Sequence, residues 1–178
     1  MNHRKTFNLA LQKLLGEYSF DDITVDMILC EAELSRSTFY RYFSDKYNLL
    51  AWNYEEGTRK IIWDNCTCTW EERQKKIYMF LGDNLTYYQK ALQTDKLDTF
   101  WNFLYQFVFD YCKQAVMKKR NTRILDEKDI VTIKYISRGS VFVLLDWVKR
   151  GGIESAENMA KYTYDFLSPE YRDIFNSM

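Results

Sequence analysis

Residues that break helices are almost missing from this chain: its 178 positions hold one proline, Pro169, and six glycines, at 16, 57, 82, 139, 151 and 152. Sandwiches, barrels and doubly wound sheets turn often and draw heavily on both residue types. Apolar residues reach 47% and aromatics 17%, ample material for a core. The expectation is an all-α protein, long enough for one large domain or two small ones in contact.

Several functions are excluded by the same counts. Lys and Arg together number 25, as do Asp and Glu, so no bulk positive field advertises nucleic acid or anionic membrane. The single histidine, His3, removes Ser-His-Asp and Cys-His catalysis and His-rich metal sites. No nucleophile–base pair or phosphate loop supports an enzyme, and no cofactor is expected. Apolar runs stop at five residues, too short for a bilayer span or a signal-peptide core, so the chain is expected in the cytoplasm with no membrane partner. Cys30, Cys66, Cys68 and Cys112 would be reduced there and form no disulfide framework.

Phe7, Leu11, Leu14, Leu15 and Tyr18 mark one face of a helix over 4–18. Thr24 can cap a second helix to about Glu31, Ser35 a third over 36–43, and Ser44 or Asp45 starts a fourth running to Trp63. Longer helical patterns follow at about 70–93, 97–119, 127–149 and 155–167. Two units result: a compact one over 1–46 and a larger helical one over 47–178, joined by the fourth helix.

Two short helices separated by about three residues describe a helix-turn-helix. Phe39 and Phe43, four apart, would anchor the second helix on the first, leaving Arg36, Ser37, Thr38 and Tyr40 near the end that reaches base edges in a major groove. Arginine can fork onto guanine, and Ser or Thr can donate or accept. Thr24 sits beside free N–H groups at a helix start; Ser35, Arg41, Tyr42 and Lys46 complete the candidate DNA-binding set. Lys46 opposes the dipole of the helix it begins, a conflict that a bound phosphate would resolve. The first 46 residues carry six basic and seven acidic side chains, so a DNA-binding unit must segregate its charges by face.

The residues Thr24, Val25, Ile28, Ala32, Ser35, Thr38-Phe39-Tyr40, Tyr42, Phe43, Lys46 and Leu49 or Leu50 together resemble the helix-turn-helix of the TetR family of bacterial transcriptional regulators. The resemblance covers about fifty residues. It implies an all-helical homodimer with a variable carboxyl domain that often binds a small effector. Leu29 and Glu33 depart from the pattern, standing where the family prefers Ala and a turn Gly. If Glu33 keeps a positive φ, that costs on the order of 1 kcal/mol.

In the larger unit, an apolar stripe over 127–149 and a Ser155-capped helix point to a four-helix dimer interface, with Ser140, Val141, Leu144, Trp147, Met159 and Phe166 as its candidate residues. Gly139 and Ser140 would let another backbone come close. The 97–119 helix is apolar around nearly its whole circumference, as a central core helix would be. Its aromatics also suit an apolar effector cavity, for which Trp63, Tyr78, Trp101, Tyr105 and Phe109 are the candidates, with Tyr87 and Tyr88 facing the same space. Cys66 and Cys68 invite a metal or oxidant sensor, but zinc normally wants four ligands and no histidine is near, so no metal site is expected.

The leading expectation is a homodimeric repressor bound to a palindromic double-stranded operator and released by a small-molecule effector. The alternative, from another class, is a helical regulator or co-activator that binds a partner protein through its carboxyl domain.

Overall fold

The computed structural model describes residues 2–63, 68–94 and 98–177, and among these every regular element is a helix. In chain order they are α1 (His3–Glu17), α2 (Val25–Ala32), α3 (Arg36–Tyr40), α4 (Lys46–Trp63), α5 (Trp70–Asp83), α6 (Leu85–Ala91), α7 (Asp98–Arg120), α8 (Glu127–Lys149), α9 (Ala156–Asp165) and α10 (Pro169–Asn176). No described helix is long and apolar enough to cross a membrane.

Side-chain caps explain most of the starts. Asn2, Thr24, Ser35, Thr69, Asp126, Ser155 and Ser168 each accept a backbone N–H from the first turn they precede. Thr69 and Glu72 complete a reciprocal capping box. Three boundaries differ from the sequence reading. The expected helix over 70–93 divides at Asn84, whose side-chain amide donates to the Phe80 carbonyl at 2.8 Å and so competes with the continuing ladder. The third helix stops at Tyr40 rather than Phe43. Residues 169–176 form an additional helix, announced by a Ser cap followed by Pro at its first position.

Helix α4 belongs to both units. Leu49 and Leu50 are completely buried with Phe7, Leu11, Phe20, Ile28 and Phe39 of the amino-terminal bundle, and Tyr54 continues the same core to Tyr78, Tyr88, Phe100 and Leu144. Polar ties reinforce this seam: Lys90 of α6 donates to the Leu15 carbonyl at 2.8 Å, and the Tyr87 hydroxyl to Asn8 Oδ1 at 3.2 Å. A second core gathers α5, α7, α8 and α10, where Trp70 stacks on Phe175 at 4.6 Å. Cys112 lies in it fully buried, and burial pushes its thiol up to about 12, so it stays protonated.

At Gly57 the α5 side chain of Phe80 lies directly on the α4 backbone; an added Cβ would fall 2.1 Å from the ring. Gly57→Ala therefore has to displace Phe80, a crowding that costs typically ~1–3 kcal/mol. A thermal melt should show a clearly lower Tm than the parent chain, whereas Gly16→Ala, where nothing lies within 4 Å, should not lower it.

Candidate nucleic-acid interface

The helix-turn-helix is built from the caps outward. Phe39 is completely buried and packs edge-on to Phe7 at 5.1 Å, with Phe43 beside it, which fixes α3 against α1. With that face spent, Arg36, Ser37, Tyr40 and Arg41 are exposed on one side, while Thr38 and Tyr42 are half-buried. The Ser35 hydroxyl accepts from the Thr38 N–H at 3.2 Å and shares hydrogen bonds with the hydroxyls of Ser37 (3.0 Å) and Thr38 (2.8 Å). Thr24 caps α2 by accepting from the Met27 N–H at 3.2 Å. The Arg4 guanidinium lies 5.2 Å over the Tyr42 ring, which brings a cation from the start of α1 to this face.

Two further features differ from, or sharpen, the sequence reading. The Arg36 guanidinium is paired with the Asp26 carboxylate of α2. Lys46 does not project outward to a phosphate. Its ammonium donates to the carbonyls of Phe20 (2.5 Å), Asp21 (3.1 Å) and Ile23 (2.7 Å) and lies 4.8 Å over the Phe20 ring. Three carbonyls at the end of the α1–α2 connection thus offset the unfavourable helix dipole, and Lys46 acts as an internal clamp under the helix-turn-helix.

Glu33 does keep a left-handed conformation, with φ 53° and ψ 37°, as the residue that ends α2. Gly151 and Gly152, at φ 89° and 61°, follow the end of α8.

In the larger unit the helices are as expected but the faces are not. Val141, Leu144, Trp147 and Met159, expected at a dimer interface, are buried in the chain's own core, and Ser140 lies half-buried. Of the six candidates only Phe166, 90% exposed, projects to the surface. The outward face of α8 instead carries Val131, Tyr135 and Phe142, with Arg138 between them; Tyr162 on α9 and Phe166 just after it are exposed as well. This i, i+4, i+7, i+11 spacing was present in the sequence, but the more apolar inward stripe masked it.

A small cavity of about 40 Å³ lies between α4, α5, α7 and α8, lined by Tyr54, Trp70, Ile77, Leu104, Tyr111 and Leu144 among others. The Arg73 guanidinium, 3% exposed, reaches its wall and donates to the Tyr111 hydroxyl at 2.8 Å. None of the described residues expected there contributes. Tyr78 is packed edge-on to Trp147 at 5.2 Å. Trp101 stacks on Tyr105 at 5.5 Å with Phe109 next to it, and Arg138 lies over both stacked rings. Because α7 is apolar on every side, its pattern could not say which rings face inward. The Trp63 side chain and Cys66 lie outside the described residues; Cys68 accepts from the Lys76 ammonium at 3.1 Å.

A bundle of this kind, with a short capped helix displayed at one end, defines a helix-turn-helix regulator of transcription. The sequence model for bacterial regulatory proteins of the tetR family matches residues 10–51, and that for a transcriptional regulator C-terminal region of the same family matches 68–169. The chain belongs to the TetR family: it is a DNA-binding transcriptional regulator and not an enzyme. It is 29% identical over 119 residues to the HTH-type dhaKLM operon transcriptional activator DhaS of Lactococcus lactis, a match covering 63% of this chain and 64% of that relative's length. Among solved structures, the dihydroxyacetone kinase operon activator DhaS shares the fold with a TM-score of 0.67 and 22% identity over 98% of each chain. The TetR-family repressor AlkX from Dietzia sp. shares it with a TM-score of 0.57 and 17% identity, over 96% of this chain and 95% of that one.

Two substitutions test the local physics. Glu33→Gly removes a left-handed Cβ penalty and should raise stability by ~0.5–1 kcal/mol, read as a higher urea midpoint at unchanged slope. Lys46→Met leaves three carbonyls without their shared cation; it should lower stability by about 2 kcal/mol in the same measurement.

Proposed function

We propose that the chain acts as a homodimer that docks two copies of α3 into successive major grooves of a palindromic operator. The exposed set Arg36, Ser37, Tyr40 and Arg41, with Thr38 and Tyr42 at its edge, supports that reading: it is the one polar face left after Phe39 and Phe43 have fixed the helix. Arg36 would read a base edge, Ser37 and Thr38 would add hydroxyl contacts, and Thr24, Tyr40, Arg41 and Tyr42, with Arg4 beside it, would hold phosphates. A symmetric pair sets the half-sites about 34 Å apart or at a multiple of that.

The outward stripe of α8 and α9 supports the second copy as its occupant. Val131, Tyr135, Phe142, Tyr162 and Phe166 are large apolar side chains left exposed there, and a Cβ added at Gly139 would meet nothing within 4 Å, which leaves a flat place for another helix backbone. The relative is an operon activator, so activation stands beside the repression expected from the sequence. The same docked dimer occludes or recruits polymerase according to where its half-sites lie.

A second reading is favoured by one observation. The small cavity between α4, α5, α7 and α8 holds no more than a few water molecules, so an effector must widen it. A partner protein seated on the carboxyl domain would regulate the dimer with no such opening.

Phe142→Arg should convert the dimer to a monomer in sedimentation and reduce affinity for the DNA upstream of its own gene by on the order of 100-fold or more, because each half-site then binds alone. Arg36→Ala should leave the dimer intact and weaken that binding by about 10–100-fold. A monomeric variant that binds as tightly as the parent overturns the proposal.

A further inference from the structure

Roomier than the small cavity is a cleft of about 340 Å³ between the amino-terminal unit and the body. Lys5, Asn8, Leu9 and Gln12 of α1 form one wall, Trp52, Asn53, Glu56 and Gly57 of α4 the floor, and Phe80 with Asn84 the other wall. Its size falls in the range of small-molecule sites, roughly 300–1,000 Å³.

The polar groups of this cleft are held in place from behind. The Tyr88 hydroxyl donates to Asn53 Oδ1 at 2.6 Å and the Tyr87 hydroxyl to Asn8 Oδ1 at 3.2 Å. Burial raises the pKa of both phenols, so both remain donors at every physiological pH. Each tyrosine thereby engages the amide oxygen, so the NH2 end of each of these two lining residues is the end available to an occupant. Half-buried Trp52 and Phe80 add aromatic surface; Trp52 is held against Phe43 at 5.8 Å, and Phe80 sits on the bare backbone of Gly57. The two charges, Lys5 and Glu56, are exposed and opposite in sign, so the site has no net charge to satisfy.

We propose that this cleft is a binding site for a small, neutral, polyhydroxylated compound, whose oxygens accept from the Asn8 and Asn53 amides and whose C–H face rests on Trp52 and Phe80. Oriented amide donors beside aromatic faces match many hydroxyls and few charges. An occupant touches α1 on one side and α4 and α5 on the other, so it fixes the angle between the DNA-binding unit and the body. The inference does not depend on the small cavity or on operator binding.

The test is a titration of the full chain, followed through its 15N side-chain amide resonances, with glycerol and with D-glucose, and with cyclohexanol as the apolar control. The Asn8 and Asn53 amides should shift saturably with a Kd on the order of 1 mM for at least one of the two polyols. Asn53→Ala and, separately, Asn8→Ala should weaken that binding at least about tenfold, with circular dichroism unchanged. Tyr88→Phe, which releases the Asn53 amide, should weaken it too. No saturable shift with either polyol, or an equal or larger response to cyclohexanol, overturns the proposal. So does a response confined to residues of the small cavity. DNA is absent from every arm, so failure here and failure of the operator reading are separate results.

Discussion

One helix carries a single core from the amino-terminal unit into the body, and this shared burial governs the whole molecule. The start of α4 is locked by Leu49 and Leu50 among the aromatic and aliphatic side chains of α1, α2 and α3, and its middle by Tyr54 against α7 and α8. At about 25 cal/mol per Å² of buried apolar surface, separating either half from its partners is costly. No flexible link intervenes, so the orientation of α3 is set by how α4 lies on the body. The ties from Lys90 to α1 and from Tyr87 to Asn8 add a second, polar route between the same two parts.

The amino-terminal unit was legible because its determinants are local. Thr24 and Ser35 each bond three residues ahead, and Phe39 and Phe43 share a face by spacing alone, while the left-handed turn at Glu33 was implied only by the family resemblance. Lys46 was misread for a related reason. The conflict between its charge and the helix dipole was visible, but the carbonyls that resolve it come from residues 23 to 26 positions earlier. Sequence spacing shows that a cation needs a partner; only the fold shows which one.

In the carboxyl domain, periodicity located the helices and failed to orient them. Helix α7 presents Leu104 and Tyr111 to the interior and Trp101, Tyr105 and Phe109 to the neighbourhood of Arg138, and nothing in its composition separates these sets. Helix α8 has two apolar stripes, of which the intramolecular core takes the one with Val141, Leu144 and Trp147. A helix with two such faces must satisfy two neighbours, and here one lies within the chain. The boundary between α5 and α6 was hidden differently, since Asn84 breaks the ladder through one side-chain bond that hydropathy does not register.

The pairing of Arg36 with Asp26 bears on how such a protein would search a chromosome. An arginine already held by a carboxylate exchanges one anion for another when it meets DNA, and a single phosphate gives little advantage in that exchange. A guanine edge, which fills both arms of the guanidinium at once, gives more. Random sequence would thus tend to leave the side chain on its carboxylate, shortening the stay at decoy sites, while the cognate half-site draws it away.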